Sequence, residues 1–305
     1  MMTRNPLLLA LLALLASMPL PPAAAIMGGE PASSSKYAYV VGLYDNNGDD
    51  ARPTCTGVLL RKDVVLTAAS CVHPIGTARG GDGGRVAVGR SFFPWANATY
   101  PSIYHRVTHE HDIAIVTFRG AHNVTRFARL SSLSVQVGDN VTMVGFAAAD
   151  PTSEIGGTEE RNGNGNGNWT GPGASSASAS ASAPLLLRQI TLPVMRHRHC
   201  RRERPTVRSD KFCASGCARG RPGSSFAGDT GGPVLWNDTV VGVASVPAEP
   251  PRACAPRAFT DVRSHLRFVA LALDRWEGRT KTHRGLQDWI WHLVWWNWPP
   301  DTDGI

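Results

Sequence analysis

The sequence predicts an all-β fold, a barrel or a sandwich, with one helix near its C-terminal end. From Tyr37 onward, short apolar runs rich in β-branched residues alternate with glycine, proline and aspartate, which is typical of strands joined by turns. Many short strands with almost no helix indicate a barrel or a sandwich. The runs are YAYVVGLY, TGVLL, DVVLTAA, RVAVGR, DIAIVTF, VTMVGF, LLLRQITLPV, TVVGVAS and AFTDV.

The one clear helix is predicted to begin at Ser264. Serine is a favoured N-cap, and four apolar residues then recur at helical spacing on one face: Leu266, Val269, Ala270 and Leu273. This pattern predicts an amphipathic helix.

The first 25 residues have the features of a secretory signal peptide. Arg4 precedes the apolar stretch Leu7–Leu15, and the alanines at 23–25 form a small-residue cleavage site. The apolar stretch is too short to cross a bilayer. We predict that residues 1–25 are removed and that the chain is secreted to the extracellular space.

Cysteines and glycosylation motifs agree with that route. The remaining chain has six cysteines, an even number that favours disulfides, although spacing alone allows fifteen connectivities. It also has five Asn-x-Thr motifs, at Asn97, Asn123, Asn140, Asn168 and Asn237.

The chain is basic, with a formal net charge of +7, and arginine supplies nearly all of the positive charge. Arginine suits bidentate contact with sulfate, phosphate or carboxylate. Codon bias in a GC-rich genome explains the excess equally well. We expect no nucleic-acid partner, no cofactor and no metal ion.

Two segments differ in composition from the strand-rich part. Residues 150–183 are rich first in Gly and Asn and then in Ser and Ala, which predicts a mobile loop insertion. Residues 277–305 form a tail with five of the nine tryptophans. Such a cluster favours a membrane surface or a protein partner. Packing of the tail against a barrel, or a gene-model artefact, remains an alternative.

Several motifs, in order, resemble the trypsin/chymotrypsin-like serine peptidases. IMGG at residue 26 is similar to the family's mature start, and LTAASC to the stretch that normally ends in Ala-Ala-His-Cys. HDIAIV resembles the start of the strand that carries the triad aspartate. GDTGGPVLW resembles the nucleophile loop, and VGVASVPAEPPRACAPRAFTDV the wall of the specificity pocket.

This resemblance spans residues 26–276 and implies two antiparallel six-stranded β-barrels with the active cleft between them. The N-terminal barrel is expected at about residues 26–134 and the C-terminal barrel at about 135–276, with the 150–183 insertion in the second.

The resemblance maps the catalytic triad onto Asp112, Ser70 and Thr230, with Gly228 in the oxyanion hole. Serine thus stands where the family has the general-base histidine, and threonine where it has the nucleophilic serine. A serine hydroxyl cannot accept a proton near neutral pH, and removal of a triad member leaves a residual acceleration of about 10³–10⁴ over water. Threonine also adds a rigid β-methyl at the attacking position.

Two nearby histidines are candidate replacement bases. His73 lies in the loop after Cys71, and His111 adjoins Asp112 but should point to the opposite side of the chain. We expect both to be ordinary surface histidines. The alternative is that one of them takes over the role of the missing general base.

The family's substrate-binding positions are also altered. The resemblance places Ser224 at the base of the pocket and Ser245 at the substrate-binding edge, where Pro247 lacks the N–H of the usual glycine. Arg257 stands where the family usually has a pocket-wall glycine, and its guanidinium is expected to fill the pocket.

Structural features of the family are retained. The resemblance implies that the buried carboxylate of Asp229 pairs with the new ammonium of Ile26, so that signal peptidase itself would free this terminus. It also implies two family disulfides, Cys55–Cys71 and Cys200–Cys213, and a shifted third one, Cys217–Cys254.

A basic stretch, MRHRHCRRERPTVR, lies in a region that is an exposed loop and short helix in the family. Inactive members of the azurocidin type share the Ala-Ala-Ser-Cys replacement and bind anionic ligands. One hypothesis is therefore a site for anionic glycans, and a solvated charged face is the alternative. The candidate residues are Arg196, Arg198, Arg201, Arg202 and Arg204.

The sequence thus favours a secreted serine-peptidase homologue that is proteolytically inactive and acts by binding an anionic glycan or a protein partner. The alternative is a weak or atypical endopeptidase that uses Thr230.

Overall fold

The computed structural model describes residues 29–45, 53–72, 84–146, 187–218, 221–222, 229–246 and 254–277. Several predictions lie outside these ranges: the signal peptide, Ile26, His73, the 150–183 insertion, Ser224, Gly228, Pro247 and the Trp-rich tail beyond residue 277. They stay predictions.

The first barrel closes from six antiparallel strands. Their order around the barrel is β2, β3, β4, β7, β6, β5, and β5 pairs back onto β2. The strands are β2 (Val40–Tyr44), β3 (Cys55–Arg61), β4 (Val64–Thr67), β5 (Arg85–Val88), β6 (Ser91–Thr99) and β7 (Ala114–Phe118).

The second barrel also closes from six strands. Its order is β9, β8, β12, β13, β14, β10, and the β9–β10 pairing completes the ring. The strands are β8 (Asn140–Gly145), β9 (Arg188–Met195), β10 (Lys211–Ala218), β12 (Pro233–Trp236), β13 (Thr239–Ala244) and β14 (Cys254–Asp261). Two short strands extend it, because β1 (Glu30–Pro31) pairs with β9 and β11 (Arg221–Pro222) with β10.

The sequence pattern explains which strands are central. The apolar runs of β4 and β7 are buried along their whole length, whereas β9 alternates buried and more exposed residues. Alternation with a period of two is what a strand shows when only one face is covered. The fold predicted from the resemblance, two six-stranded antiparallel barrels and a C-terminal helix, is confirmed.

The helices are few and short: α1 (Ala69–Val72), α2 (His197–Glu203), a 3₁₀ turn at Arg263–His265 and α3 (Leu266–Trp276). The four apolar residues predicted on one face of α3 are buried. None of the helices in the described ranges is long and apolar enough to cross a bilayer.

The predicted N-cap at Ser264 is wrong. Ser264 lies inside the 3₁₀ turn, and Asp261 makes the capping contacts instead. Its carboxylate accepts hydrogen bonds from the Arg263 N–H at 3.0 Å and from Ser264 Oγ at 3.1 Å. Aspartate is as good a cap as serine, and 3₁₀ turns are frequent at helix N-termini. The α-helix itself begins at Leu266.

Candidate active site

The carboxylate of Asp112 is the centre of a hydrogen-bond network that joins the two barrels. It is completely buried, just before β7. The N–H of Ser70 donates to its Oδ1 at 2.7 Å, and the hydroxyl of Ser70 donates to its Oδ2 at 3.1 Å. Ser245 Oγ, just after β13, donates to the same Oδ2 at 2.6 Å. The structure therefore brings three predicted positions together: Asp112, Ser70 and Ser245.

Ser70 is held in place by its short helix and a disulfide. It lies in α1, and its neighbour Cys71 is bonded to Cys55 at the start of β3, with 6.0 Å between the two Cα atoms. This fixes α1 against the first barrel, so that both polar groups of Ser70 face the carboxylate.

A buried cation that the sequence reasoning missed lies behind Ser245. The Nζ of Lys211, 5% exposed, donates to Ser245 Oγ at 3.3 Å and to Thr260 Oγ1 at 3.0 Å. Burial lowers the pKa of Lys211, while the negative charges of Asp112 and Asp210 act in the opposite direction. Ser245 thus accepts from the ammonium and donates to the carboxylate, which links the two opposite charges through one hydroxyl.

Thr230 lies in a tight turn immediately before β12. It is buried, and its carbonyl accepts a hydrogen bond from the Thr56 N–H at 2.8 Å. The next residue, Gly231, has a φ of +83°, and a Cβ there would collide with Thr67 Oγ1. Only glycine fits such a position. Within the described part of the chain, no side chain forms a hydrogen bond with Thr230 Oγ1, so no base contacts this hydroxyl there.

His111 does not contact Asp112. It is half-buried, with a φ of +55°, and its Nδ1 lies 3.1 Å from His265 Nε2. The expectation that it points away from Asp112 agrees with this contact, but it is not an ordinary surface histidine.

His109, three residues before Asp112, was missed. It is half-buried, and its Nδ1 lies 3.2 Å from the Tyr104 hydroxyl. Burial lowers the pKa of His109, and the charge of Asp112 opposes that shift. Burial and the same carboxylate raise the pKa of Tyr104. Both side chains are therefore within electrostatic range of Asp112.

Arg257 is buried on β14, opposite Ala214 of β10. Its Nη1 contacts the sulfur of Met143 at 3.9 Å, while Nε and Nη2 have no hydrogen-bond partner among the described residues. Burial lowers the pKa of Arg257 to about 10, and the charge of Asp229 partly opposes this shift. A guanidinium here takes up space and carries a charge that its surroundings satisfy poorly.

Asp229 is fully buried beside Gly145 of β8. A Cβ at Gly145 would collide with its carboxylate, so the small residue makes room for the charge. Its predicted partner Ile26 lies outside the described residues, and that ion pair stays a prediction.

Two of the three predicted disulfides are confirmed. Cys55–Cys71 anchors α1, and Cys200–Cys213 joins α2 to β10. For the third pair, Cys217 and Cys254, only the backbone is described: Gly216 pairs with Cys254 across β10 and β14. That bond stays a prediction.

The basic stretch forms the exposed side of α2. Arg198, Arg201 and Arg202 are exposed and share one helix face, because residues three and four apart are neighbours on a helix. Arg196 precedes the helix and is exposed as well. Arg204 is different: it is half-buried and donates to the Val246 carbonyl at 3.2 Å, and burial lowers its pKa.

A family model described as Trypsin matches residues 26–269. This chain belongs to the trypsin family. The match covers both barrels, Ser70, Asp112 and the turn that carries Thr230.

Two proteins that are similar to this chain share 24% and 29% of their aligned residues with it. Granzyme-like protein 1 of Rattus norvegicus is 24% identical over 86% of this chain and 96% of its own length. Alkaline trypsin B of Manduca sexta is 29% identical over 79% of this chain and 86% of its own length.

Among solved structures, mouse neuropsin, described as a serine protease expressed in the limbic system of the brain, has a TM-score of 0.58 and 18% identity. The aligned region covers 81% of this chain and 99% of the neuropsin chain. A structure described as that of GrC has a TM-score of 0.61 and 21% identity, with coverage of 82% and 100%. At this identity these two likenesses establish the trypsin-like fold alone.

Proposed function

We propose that this trypsin-family protein is secreted, does not hydrolyse peptides, and acts by binding. The observation that carries the proposal is the hydrogen bond from Ser70 Oγ to Asp112 Oδ2. In the family template, this carboxylate orients the imidazole that takes the proton of the nucleophile. Here the Ser70 hydroxyl forms the hydrogen bond that the imidazole would form with the carboxylate, and a hydroxyl does not accept the proton of the nucleophile near pH 7.

The surroundings of Asp112 support a structural role for this carboxylate. In an active triad, the imidazolium that forms during attack balances the charge of the aspartate. Here Lys211 lies behind Ser245, and its ammonium compensates the charge of Asp112 through that hydroxyl. A buried carboxylate is costly without such a partner. The network therefore explains how Asp112 stays buried in a chain that has no histidine at position 70.

The proposed ligand is an anionic glycan, bound by the arginine face of α2. Arg198, Arg201 and Arg202 are exposed on one side of the helix and form no ion pair with any described residue. Three adjacent guanidinium groups attract sulfate and carboxylate and can bind them through paired hydrogen bonds. Arg204 is left out of this face because it donates to a backbone carbonyl.

Heparin chromatography tests the binding half of the proposal. Arg201→Ala/Arg202→Ala removes two charges from α2, and we expect this variant to elute at clearly lower salt than the wild type. Arg267→Ala/Arg275→Ala is the matched control, because it removes two exposed arginines from α3. If both double variants elute together, the attraction is a general effect of net charge and the α2 site is wrong. If the wild type is not retained, a protein partner replaces the glycan as the proposed ligand.

A weak endopeptidase that uses Thr230 is the second candidate. The observation in its favour is the turn itself, since Gly231 keeps its required conformation and Thr230 Oγ1 is not engaged by any described side chain. A fluorophosphonate probe separates the two candidates. Covalent labelling that disappears in Thr230→Ala supports the endopeptidase, and no labelling at Thr230 supports the binding protein.

A further inference from the structure

Three side chains from both barrels converge next to the Asp112 network. They are His111, which precedes β7 of the first barrel, and Asp210 and His265 of the second barrel. Each offers one ligand atom, and these atoms all lie within 4.8 Å of one another. One of these pairs, His111 Nδ1 and His265 Nε2, forms a hydrogen bond of 3.1 Å that a bound metal ion would replace. In a tetrahedral zinc site with Zn–N bonds of 2.0–2.1 Å, neighbouring ligand atoms lie about 3.3 Å apart. We propose that His111, Asp210 and His265 form a zinc-binding site that joins the two barrels.

The imidazole of His265 is oriented as a ligand. Its Nδ1 lies 2.8 Å from the carbonyl oxygen of Asp261, which has no proton, so Nδ1 donates this hydrogen bond. Nε2 of the neutral ring then carries the lone pair, which accepts a hydrogen bond from His111 Nδ1 and becomes available to zinc when that proton leaves. A hydrogen bond from the distal ring nitrogen to a backbone carbonyl is the usual device that fixes the tautomer of a zinc-bound histidine.

Asp210 supplies an oxygen that the protein leaves unpaired. The side chain is 7% exposed, and its Oδ1 has no hydrogen-bond partner among the described residues. Its Oδ2 accepts the His111 N–H at 2.7 Å and lies 3.9 Å from Lys211 Nζ. A buried carboxylate oxygen without a partner is costly, and a metal ion would satisfy it. The ammonium of Lys211 weakens the attraction for a cation, but its hydrogen bonds go to Ser245 and Thr260.

The backbone also holds the cluster ready. His111 has a φ of +55°, and the same Asp210 that offers a ligand oxygen fixes its N–H. Two imidazoles and one carboxylate suit Zn²⁺, and the half-buried position of His111 leaves the fourth coordination position open to water. A metal at this place would tie the segment before Asp112 to the second barrel.

The test titrates ZnCl₂ into the chelator-treated full chain, purified with a tag that lacks histidine. We expect one zinc ion per chain and a rise in Tm, since a ligand that binds only the folded state stabilises it. Cobalt should give the visible d–d bands of a tetrahedral site. Calcium and magnesium should not compete, because they prefer sets of oxygen ligands.

Three ligand variants and one control locate the site. His111→Asn removes the imidazole but suits a positive φ. Asp210→Asn keeps an oxygen for the His111 N–H and loses the charge. His265→Asn can still donate to the Asp261 carbonyl. We expect each variant to bind zinc at least about tenfold more weakly than the wild type. Even the mutation of residues that only orient a metal ligand lowers metal affinity about tenfold or more. His105→Ala, an exposed histidine in the same segment, should bind zinc as the wild type does.

Folding of each variant is checked by its Tm in the presence of chelator. If one ligand variant fails to fold, the other two ligand variants decide the test. Loss of binding in the ligand variants with retention in His105→Ala supports the site. If the wild type binds no zinc, or if the folded ligand variants bind it as tightly as the control, the proposal is overturned.

Discussion

Ser70 forms hydrogen bonds with both oxygens of Asp112, through its N–H at 2.7 Å and its hydroxyl at 3.1 Å. The carboxylate that would orient an imidazole is therefore saturated by a residue that cannot accept a proton near neutral pH. The proposed loss of peptide hydrolysis follows from this pair of hydrogen bonds, because the chain keeps the trypsin fold and the aspartate but has no base at position 70.

Restoring both altered triad residues should restore a reactive nucleophile. In Ser70→His/Thr230→Ser, an imidazole is returned beside Asp112 and the extra methyl is removed. We expect fluorophosphonate labelling at least about 100-fold faster than in the wild type, because a general base contributes about 10²–10⁴ in rate. Ser70→His/Thr230→Ala is the control and should stay unlabelled. Equal labelling of the restored variant and the wild type would show that the cleft is altered beyond these two residues.

Lys211 should stabilise the protein by compensating two buried carboxylates, Asp210 at 3.9 Å and Asp112 through Ser245. Removing one partner of a buried pair typically costs about 3–5 kcal/mol, so Lys211→Met should lower the free energy of urea unfolding by about that amount. The effect should be smaller when Asp112→Asn is already present, with a coupling energy above about 1 kcal/mol.

Asp238→Asn is the control for the double-mutant cycle of Lys211→Met and Asp112→Asn. Asp238 is exposed in the turn between β12 and β13 and pairs with Lys36, so its effect should add to that of Lys211→Met within about 0.5 kcal/mol. If the effects of Lys211→Met and Asp112→Asn on the free energy of unfolding also add, Ser245 does not link the charges of Lys211 and Asp112.

Arg257 should destabilise the fold. Two of its nitrogens are buried without partners among the described residues, and a buried unsatisfied polar group costs about 1–3 kcal/mol. Arg257→Met retains much of the side-chain volume and removes the charge. We expect it to raise the free energy of unfolding by about 1–3 kcal/mol. Arg267→Met, at an exposed position on α3, should change it by less than about 0.5 kcal/mol. A loss of stability in Arg257→Met would mean that compensation of Asp229 outweighs the cost of burial.

The N-terminus of the secreted protein should be Ile26. The predicted cleavage site lies directly before it, and the family resemblance pairs the buried carboxylate of Asp229 with the ammonium of Ile26. Edman sequencing of material from the medium of producing cells checks this directly. A start at any other residue contradicts the proposed release by signal peptidase.

The sequence predicted the scaffold well because the scaffold depends on local patterns. Short apolar runs predicted the strands, and the resemblance carried by motifs such as GDTGGP implied the two barrels and the two disulfides that the structure confirms. The helix start was displaced because a 3₁₀ turn and an aspartate cap replaced the expected serine cap.

The sequence could not predict the contacts that tertiary structure creates. Lys211 contacts Ser245, and Ser245 contacts Asp112, only because separate strands and loops converge, and nothing in the sequence around Lys211 indicates that it is buried. The same holds for the cluster of His111, Asp210 and His265, whose members are up to 154 positions apart. Arg204 was grouped with its neighbours by spacing, although the fold turns it toward the Val246 carbonyl.

The most direct measurement compares peptide hydrolysis by the purified mature chain with hydrolysis by Thr230→Ala under identical conditions, on a mixed peptide library. We expect any residual rate to be the same in both proteins, because Ser70 cannot accept the proton of the Thr230 hydroxyl and no described side chain forms a hydrogen bond with that hydroxyl. A rate in the wild type that vanishes in Thr230→Ala would contradict this expectation.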